Sequence, residues 1–392
     1  MKRRAFLKAG AALPALGLQA QSPASRHSSL DPWVEVHVGH LRANAAAVHK
    51  LTGVPILAVI KNNGYGAGVS NVARALQSVD HVQGFAVVKL QEAFALRDDG
   101  IRKPILLMGP VAETDLADVT RRNITLMVYT PIGSALERAA AQTGQAINVH
   151  VCVDTGLGRV GVPYRQAFDL IRDLAGARGV RLGGIMMTFT EDETFDREQL
   201  RRFRALSAQI DETRIPSVVK HAASTYPLFQ HPDAFLDLVR PGMALYGIYP
   251  EPVFRNSRAL DLVPAIALRT RVAYVKQLLP GDSAGYNRAY VADRPVWIAT
   301  LPVGHADGLP RAAAKGGRVR IGGALYPIIA SISASHTIVE IGSERRVEIG
   351  DEATLFDWTD GSRPEDLAAA CGASVYDLTM HLNPLLSRRV TE

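Results

Sequence analysis

A chain of 392 residues, 47% hydrophobic and 21% charged, has the balance of a globular protein long enough for two domains. The formal net charge of +6 makes no case for nucleic acid: Lys2, Arg3, Arg4 and Lys8 supply four of those charges, and about +2 remains without them. Two cysteines, Cys152 and Cys371, exclude a disulfide framework and a four-ligand zinc site, and no His/Asp metal cluster occurs.

Residues 1–29 read as an export signal and tail. A basic start precedes an apolar run from Ala9 to Ala20 and a Ser/Pro/Gln-rich stretch. Arg3-Arg4-Ala5-Phe6-Leu7-Lys8 is similar to a twin-arginine signal, with Lys2 where Ser or Thr is usual. The apolar run is too short for a permanent membrane span. The expectation is therefore a periplasmic protein, delivered by the twin-arginine machinery.

Residues 33–38 alternate apolar and polar as a half-exposed strand does, and 40–51 read as a helix. Short apolar runs then recur at 56–60, 85–88, 105–108, 125–128, 149–153, 184–189, 218–223 and 238–245, with helical patterns between them. Eight strands alternating with helices predict an α/β fold, a TIM-type (β/α)8 barrel over 30–264. An open doubly wound sheet competes, since periodicity does not reveal closure.

The first of these strands ends in Lys61, followed by Asn62-Asn63-Gly64-Tyr65-Gly66-Ala67-Gly68. A lysine at the end of a buried strand is costly unless it has a partner or a reaction to perform. Desolvation lowers its pKa, and the neutral amine can attack a carbonyl. The glycines let backbone N–H groups approach a phosphate. Amine and phosphate cradle together point to pyridoxal 5'-phosphate (PLP); the plainer alternative is a lysine that snorkels at the barrel mouth. Other unusual polar residues also fall at strand ends, where barrels keep their chemistry: Asp154 to Arg159, Thr188, Ser224, Thr225 and Arg240. From about 265 the pattern changes to strands with few helices, so 265–392 reads as a mostly antiparallel C-terminal β domain.

Several long motifs in one order resemble the alanine racemase family of PLP enzymes, which pair a barrel with a β domain. They are Ala58-Val59-Ile60-Lys61-Asn62-Asn63-Gly64-Tyr65-Gly66, Val153-Asp154-Thr155-Gly156-Leu157-Gly158-Arg159, and Val239-Arg240-Pro241-Gly242-Met243-Ala244-Leu245-Tyr246-Gly247. In the β domain Gly285-Tyr286-Asn287-Arg288 and Gly304-His305-Ala306-Asp307-Gly308-Leu309-Pro310-Arg311 match as well. The resemblance implies a homodimer that racemises free amino acids with two bases. Lys61 would hold PLP and serve as one base, and Tyr286 of the partner subunit would be the other. Arg240 would donate to the pyridine nitrogen, with His221 orienting it. Tyr65, Ser224, Thr225, Gly242 and Met243 would hold the phosphate, and Arg159 would meet the substrate carboxylate or steady the cofactor oxygen. Each has a plainer alternative: packing for Tyr65, His221 and Tyr286, a rim ion pair for Arg159.

The departures concern substrate. Thr188 stands where the family stacks a histidine on the cofactor ring, Cys152 where it carries a carbamylated lysine, Ala334 for a methionine and His305 for a tyrosine. Three of these replace bulkier groups beside the substrate, so they imply a pocket broader than alanine needs. Tyr376 is the nearest match to the family's C-terminal tyrosine. Two other readings stay open at this level: a PLP-dependent lyase or decarboxylase on a related barrel, and a non-catalytic PLP-binding protein.

Overall fold

A computed structural model describes residues 29–392. The expected export signal, 1–29, lies outside the described residues except for Ser29. Among the described residues no helix is long and apolar enough to cross a membrane.

Seven parallel strands pair in chain order: Ile56–Val59, Val82–Val87, Ile105–Leu107, Thr125–Val128, Ile147–Asp154, Val180–Met186 and Val219–His221. All four residues of the first are buried, as expected of a strand covered on both faces. The eighth position closes the ring differently from the expected strand at 238–245. Only Val239 bridges back, to Ile56, with Leu57 N–H donating to Val239 O at 2.9 Å and Val59 N–H to Pro241 O at 3.0 Å. Pro241 has no N–H to continue a ladder, and Met243–Tyr246 coils into a 3-10 turn instead. These bonds join the eighth position to the first strand, so the sheet is curled into a barrel rather than left open.

The second sheet has nine strands and is mostly antiparallel. Its outer part contains two segments from the chain ends. Trp33–His37, placed by the sequence within the barrel region 30–264, pairs instead with Ile266–Arg271, Trp33 opposite Arg269. Ser387–Thr391 then runs parallel to it on the other side. Trp33, Val34 and Val36 are buried in this sheet, which is why the segment joins it. Before that last strand, the helices Pro364–Cys371 and Val375–Met380 lead back over the barrel mouth.

Candidate active site

The first barrel strand delivers Lys61 to the mouth, where the chain turns left-handed. Asn62, Asn63, Gly64 and Tyr65 have φ of 55°, 55°, 61° and 53°. Asn and Gly tolerate this region, but a bulky Tyr65 held there stores about 1–3 kcal/mol. Hydrogen bonds hold the turn: Asn63 N–H donates to Glu92 Oε1 at 2.7 Å and Gly68 N–H to Asn63 O at 2.8 Å. Gly66, at φ 90°, cannot be another residue, because a Cβ would stand 2.2 Å from the carbonyl oxygen of Thr379 in the helix pressed on it. Tyr65 is thereby buried, its ring 4.7 Å from Tyr246 and 6.1 Å from Tyr376.

The Tyr65 hydroxyl lies so close to Gly242 that a Cβ there would be 2.1 Å from it. Thr225 Oγ1 accepts from the N–H groups of Gly242 (3.1 Å) and Ala244 (3.2 Å). With Ser224 and Met243, these groups line part of a cavity of about 730 Å³. Phenol, hydroxyls and backbone beside a glycine-only approach form a donor set suited to a phosphate.

Lys61 is half-buried in the same cavity and is the only lysine among the residues that line it. Burial lowers its pKa, the Arg159 guanidinium lowers it further, and Glu92 opposes both. The amine is thus nearer to the neutral form that a nucleophile or base requires.

At the wall of the cavity Arg240 is buried. Its guanidinium donates to Nδ1 of His221 at 2.9 Å, to Met187 O at 2.6 Å and to Ala222 O at 3.3 Å. Since arginine only donates, His221 Nδ1 must accept, which leaves its Nε2–H to donate to His150 Nδ1 at 2.9 Å. Burial and the nearby Arg240 charge hold both rings neutral: His221 falls well below the usual histidine value and His150 to about 4. Burial brings Arg240 itself down to about 10, still cationic at neutral pH.

Asp154 Oδ1 accepts from the N–H groups of Gly156 (2.9 Å) and Gly158 (3.1 Å), folding the loop that carries Arg159 to the cavity. Cys152 lines the wall, and burial pushes its thiol up to about 11, so it is neutral and unreactive there. Thr188 lines the wall too, its carbonyl accepting from Gln199 Nε2 at 3.2 Å.

The structure therefore gathers Lys61, Tyr65, Arg159, Thr188, Ser224, Thr225, Arg240, Gly242 and Met243 around one cavity, with His221 behind it. Tyr286, His305 and Ala334 are not among its lining residues. They share another place, on the β domain around the loop 330–336. A Cβ on Gly285 would meet Ala330 Cβ at 2.7 Å, His305 N–H donates to Ser333 O at 3.0 Å, and Ala306 N–H donates to Ala334 O at 3.0 Å. Tyr286 is 75% exposed.

Three residues escaped the sequence reading. His150 shares a strand face with Cys152 and Asp154, opposite Val149, Val151 and Val153, and that alternation was the available signal. Glu92 offered none, because it reaches the Lys61 turn from a different helix. Glu191, on the loop after Val180–Met186, also lines the cavity. Tyr376, carried by the helix Val375–Met380, lines the cavity as well.

Comparison with known proteins agrees in both domains. The family model for the alanine racemase N-terminal domain matches residues 36–250, and that for the alanine racemase C-terminal domain matches 265–390. The alanine racemase of Desulforamulus reducens is 32% identical over 332 residues, covering 83% of this chain and 89% of that protein. That of Chlorobaculum tepidum is 33% identical over 365 residues, covering 91% and 93%. Among solved structures, the alanine racemase of Clostridium difficile 630 superposes with a TM-score of 0.87 at 28% identity, over 93% of this chain and 96% of that one.

Proposed function

The chain belongs to the alanine racemase family and is a PLP-dependent amino-acid racemase, and from that premise we propose that it acts on a range of free amino acids with Lys61 and Tyr286 of the partner subunit as its two bases. The observation that carries this reading is Lys61 itself: the only lysine lining the cavity, its amine shifted toward neutrality, between an anion cradle and a buried arginine.

Tyr65, Ser224, Thr225 and the backbone of Gly242 and Met243 would hold the phosphate, and Lys61 would hold the aldehyde carbon. Bound there, PLP supplies an electron-withdrawing ring that acidifies the substrate α-proton. Arg240 would offer the ring a permanent cation and donor, yet has no proton to surrender. The relay from His150 through His221 fixes the orientation of that guanidinium. Arg159 would draw the substrate carboxylate to the rim. Racemisation breaks the Cα–H bond on one face, with its proton going to one base, and forms a new Cα–H bond on the other face with a proton from the second. Lys61 serves one face. For the other, Tyr286 is 75% exposed and away from this chain's own cavity, which fits a residue offered to a second subunit and so a homodimer.

Breadth is supported by Thr188, Ala334 and His305, each smaller than or different from the family residue implied at its position. One extra methylene in an apolar pocket is worth only about 1–3 kcal/mol, so an opened pocket admits longer side chains with modest selectivity. Loss of optical rotation should be seen for alanine, methionine, lysine and arginine, with kcat/KM within about a hundredfold of one another. A preference for alanine over all three by about a thousandfold would sink the breadth.

We also propose export to the periplasm, on the strength of Arg3-Arg4-Ala5-Phe6-Leu7-Lys8. Replacing Arg3 and Arg4 together with Lys keeps the charge and removes the guanidinium pair. Fractionation should then find the uncleaved chain retained in the cytoplasm, whereas normal delivery would indicate the general secretory route.

A further inference from the structure

The carboxylates around the cavity differ in one respect. Asp154 is committed to the backbone of its own loop, and Glu365 accepts from Tyr249 N–H at 3.3 Å and lies 3.5 Å from the Arg363 guanidinium. Glu191 makes no hydrogen bond or ion pair among the described residues. Yet it lines the same cavity as Lys61, Arg159, Thr188 and Tyr376, with its outer side open to solvent. Its backbone is held at φ 68°, a region costly for a glutamate and seen mainly where something fixes it. Asp192 beside it supplies that fixation by capping the helix Glu193–Asp211, accepting from Phe195 N–H at 2.9 Å.

The electrostatic surroundings of Glu191 are short of positive charge. Burial raises its pKa, Asp196 and Glu251 raise it further, and only Arg159 opposes them. The same charge is felt at Tyr376, whose phenol is pushed up first by burial and next by Glu191. Tyr376 in turn packs on Tyr65, with ring centroids 6.1 Å apart. Arg159 and Glu191 thus offer opposite charges to one cavity, whose wall also carries the short side chain of Thr188.

We propose that Glu191 is a specificity-determining residue that receives the terminal cation of a dibasic amino acid, of the lysine or arginine type, while Arg159 takes the α-carboxylate. This rests on the broad-specificity reading above and narrows it. An amino acid with its carboxylate at one end and a cation at the other satisfies both poles at once. A neutral chain of the same length would leave the Glu191 carboxylate partly desolvated without a partner, which is the basis of discrimination between isosteres.

Lysine and norleucine are the probes, since they share an unbranched carbon chain and differ in the terminal ammonium. In the wild-type holoenzyme, kcat/KM for lysine should exceed that for norleucine by about tenfold or more, the size expected of a partly screened charge pair. Glu191→Gln keeps the shape and removes the charge, and should bring that ratio close to one. Binding supplies a second readout. Enantiomers have equal enthalpies, so racemisation adds no heat, and calorimetric titration of the holoenzyme should show tighter binding of lysine that Glu191→Gln abolishes. Equal handling of lysine and norleucine by the wild type, or a ratio unmoved by Glu191→Gln, overturns the inference and leaves broad racemisation standing. Turnover of alanine with refusal of both longer substrates overturns the breadth, and the inference goes with it.

Discussion

Lys61→Ala abolishes racemisation, a fall of at least about four orders of magnitude, because both the covalent hold on the cofactor and one base are lost together. No second amine can substitute: among the residues lining the cavity Lys61 is the only lysine, and the other cations there, Arg159 and Arg240, do not become nucleophiles. The variant should fold, since the turn after residue 61 is held by backbone bonds from Asn63, Gly64 and Gly68 rather than by the lysine side chain. Borohydride treatment followed by peptide mass analysis should find the cofactor on the Lys61 peptide in the wild type and on no peptide in the variant. A trapped adduct that persists in Lys61→Ala would assign the chemistry to another lysine.

Tyr286→Phe should lower racemisation by about 10²–10⁴-fold, the range for loss of one acid–base group. The equilibrium constant between enantiomers is one, so kcat/KM must fall equally in the two directions. The asymmetry lies in exchange with solvent. With Lys61 intact, one enantiomer should still wash its α-deuterium into water while the other keeps it. Exchange of both enantiomers at wild-type rates would remove Tyr286 from the chemistry. Mixing this variant with Lys61→Ala tests where the tyrosine comes from. If each site takes Lys61 from one chain and Tyr286 from the other, a hybrid dimer carries one intact site, and random exchange of subunits restores about a quarter of wild-type activity. No recovery, with exchange of subunits shown independently, would place both groups in one chain.

The barrel was legible because its strands are short apolar runs with regular spacing, and seven of the eight expected positions became paired strands. The eighth was readable in location but not in form: Pro241 limits the ladder, and a run of apolar residues after it packs equally well as a 3-10 turn. The origin of Trp33–His37 was not legible, since alternation shows that a strand has two faces but not which sheet it joins. Its neighbour Ser387–Thr391 is mostly polar and carries no apolar signal. Arg389 nonetheless stacks over Trp33 at 3.8 Å, a contact invisible without the fold. At the site, Lys61 and its glycines announced themselves because the sequence around them is locally expensive. Glu191 did not, since one acidic residue on a loop is ordinary until the loop is seen to line a cavity.

The pairing of Trp33–His37 with Ser387–Thr391 has a kinetic meaning. Trp33–His37 has one neighbour from residues 266–271 and the other from 387–391, so an early segment is enclosed on both edges by segments that lie far later in the sequence. The same closing segment reaches the cofactor turn, where Arg388 Nε donates to Gly66 O at 3.2 Å. Contacts of such long sequence separation form late, because loop closure must be paid for before they return anything. The lysine turn therefore receives this support late in folding, and a chain cut before residue 387 is denied it: the place where the cofactor must settle is braced by the same strand that clasps Trp33–His37.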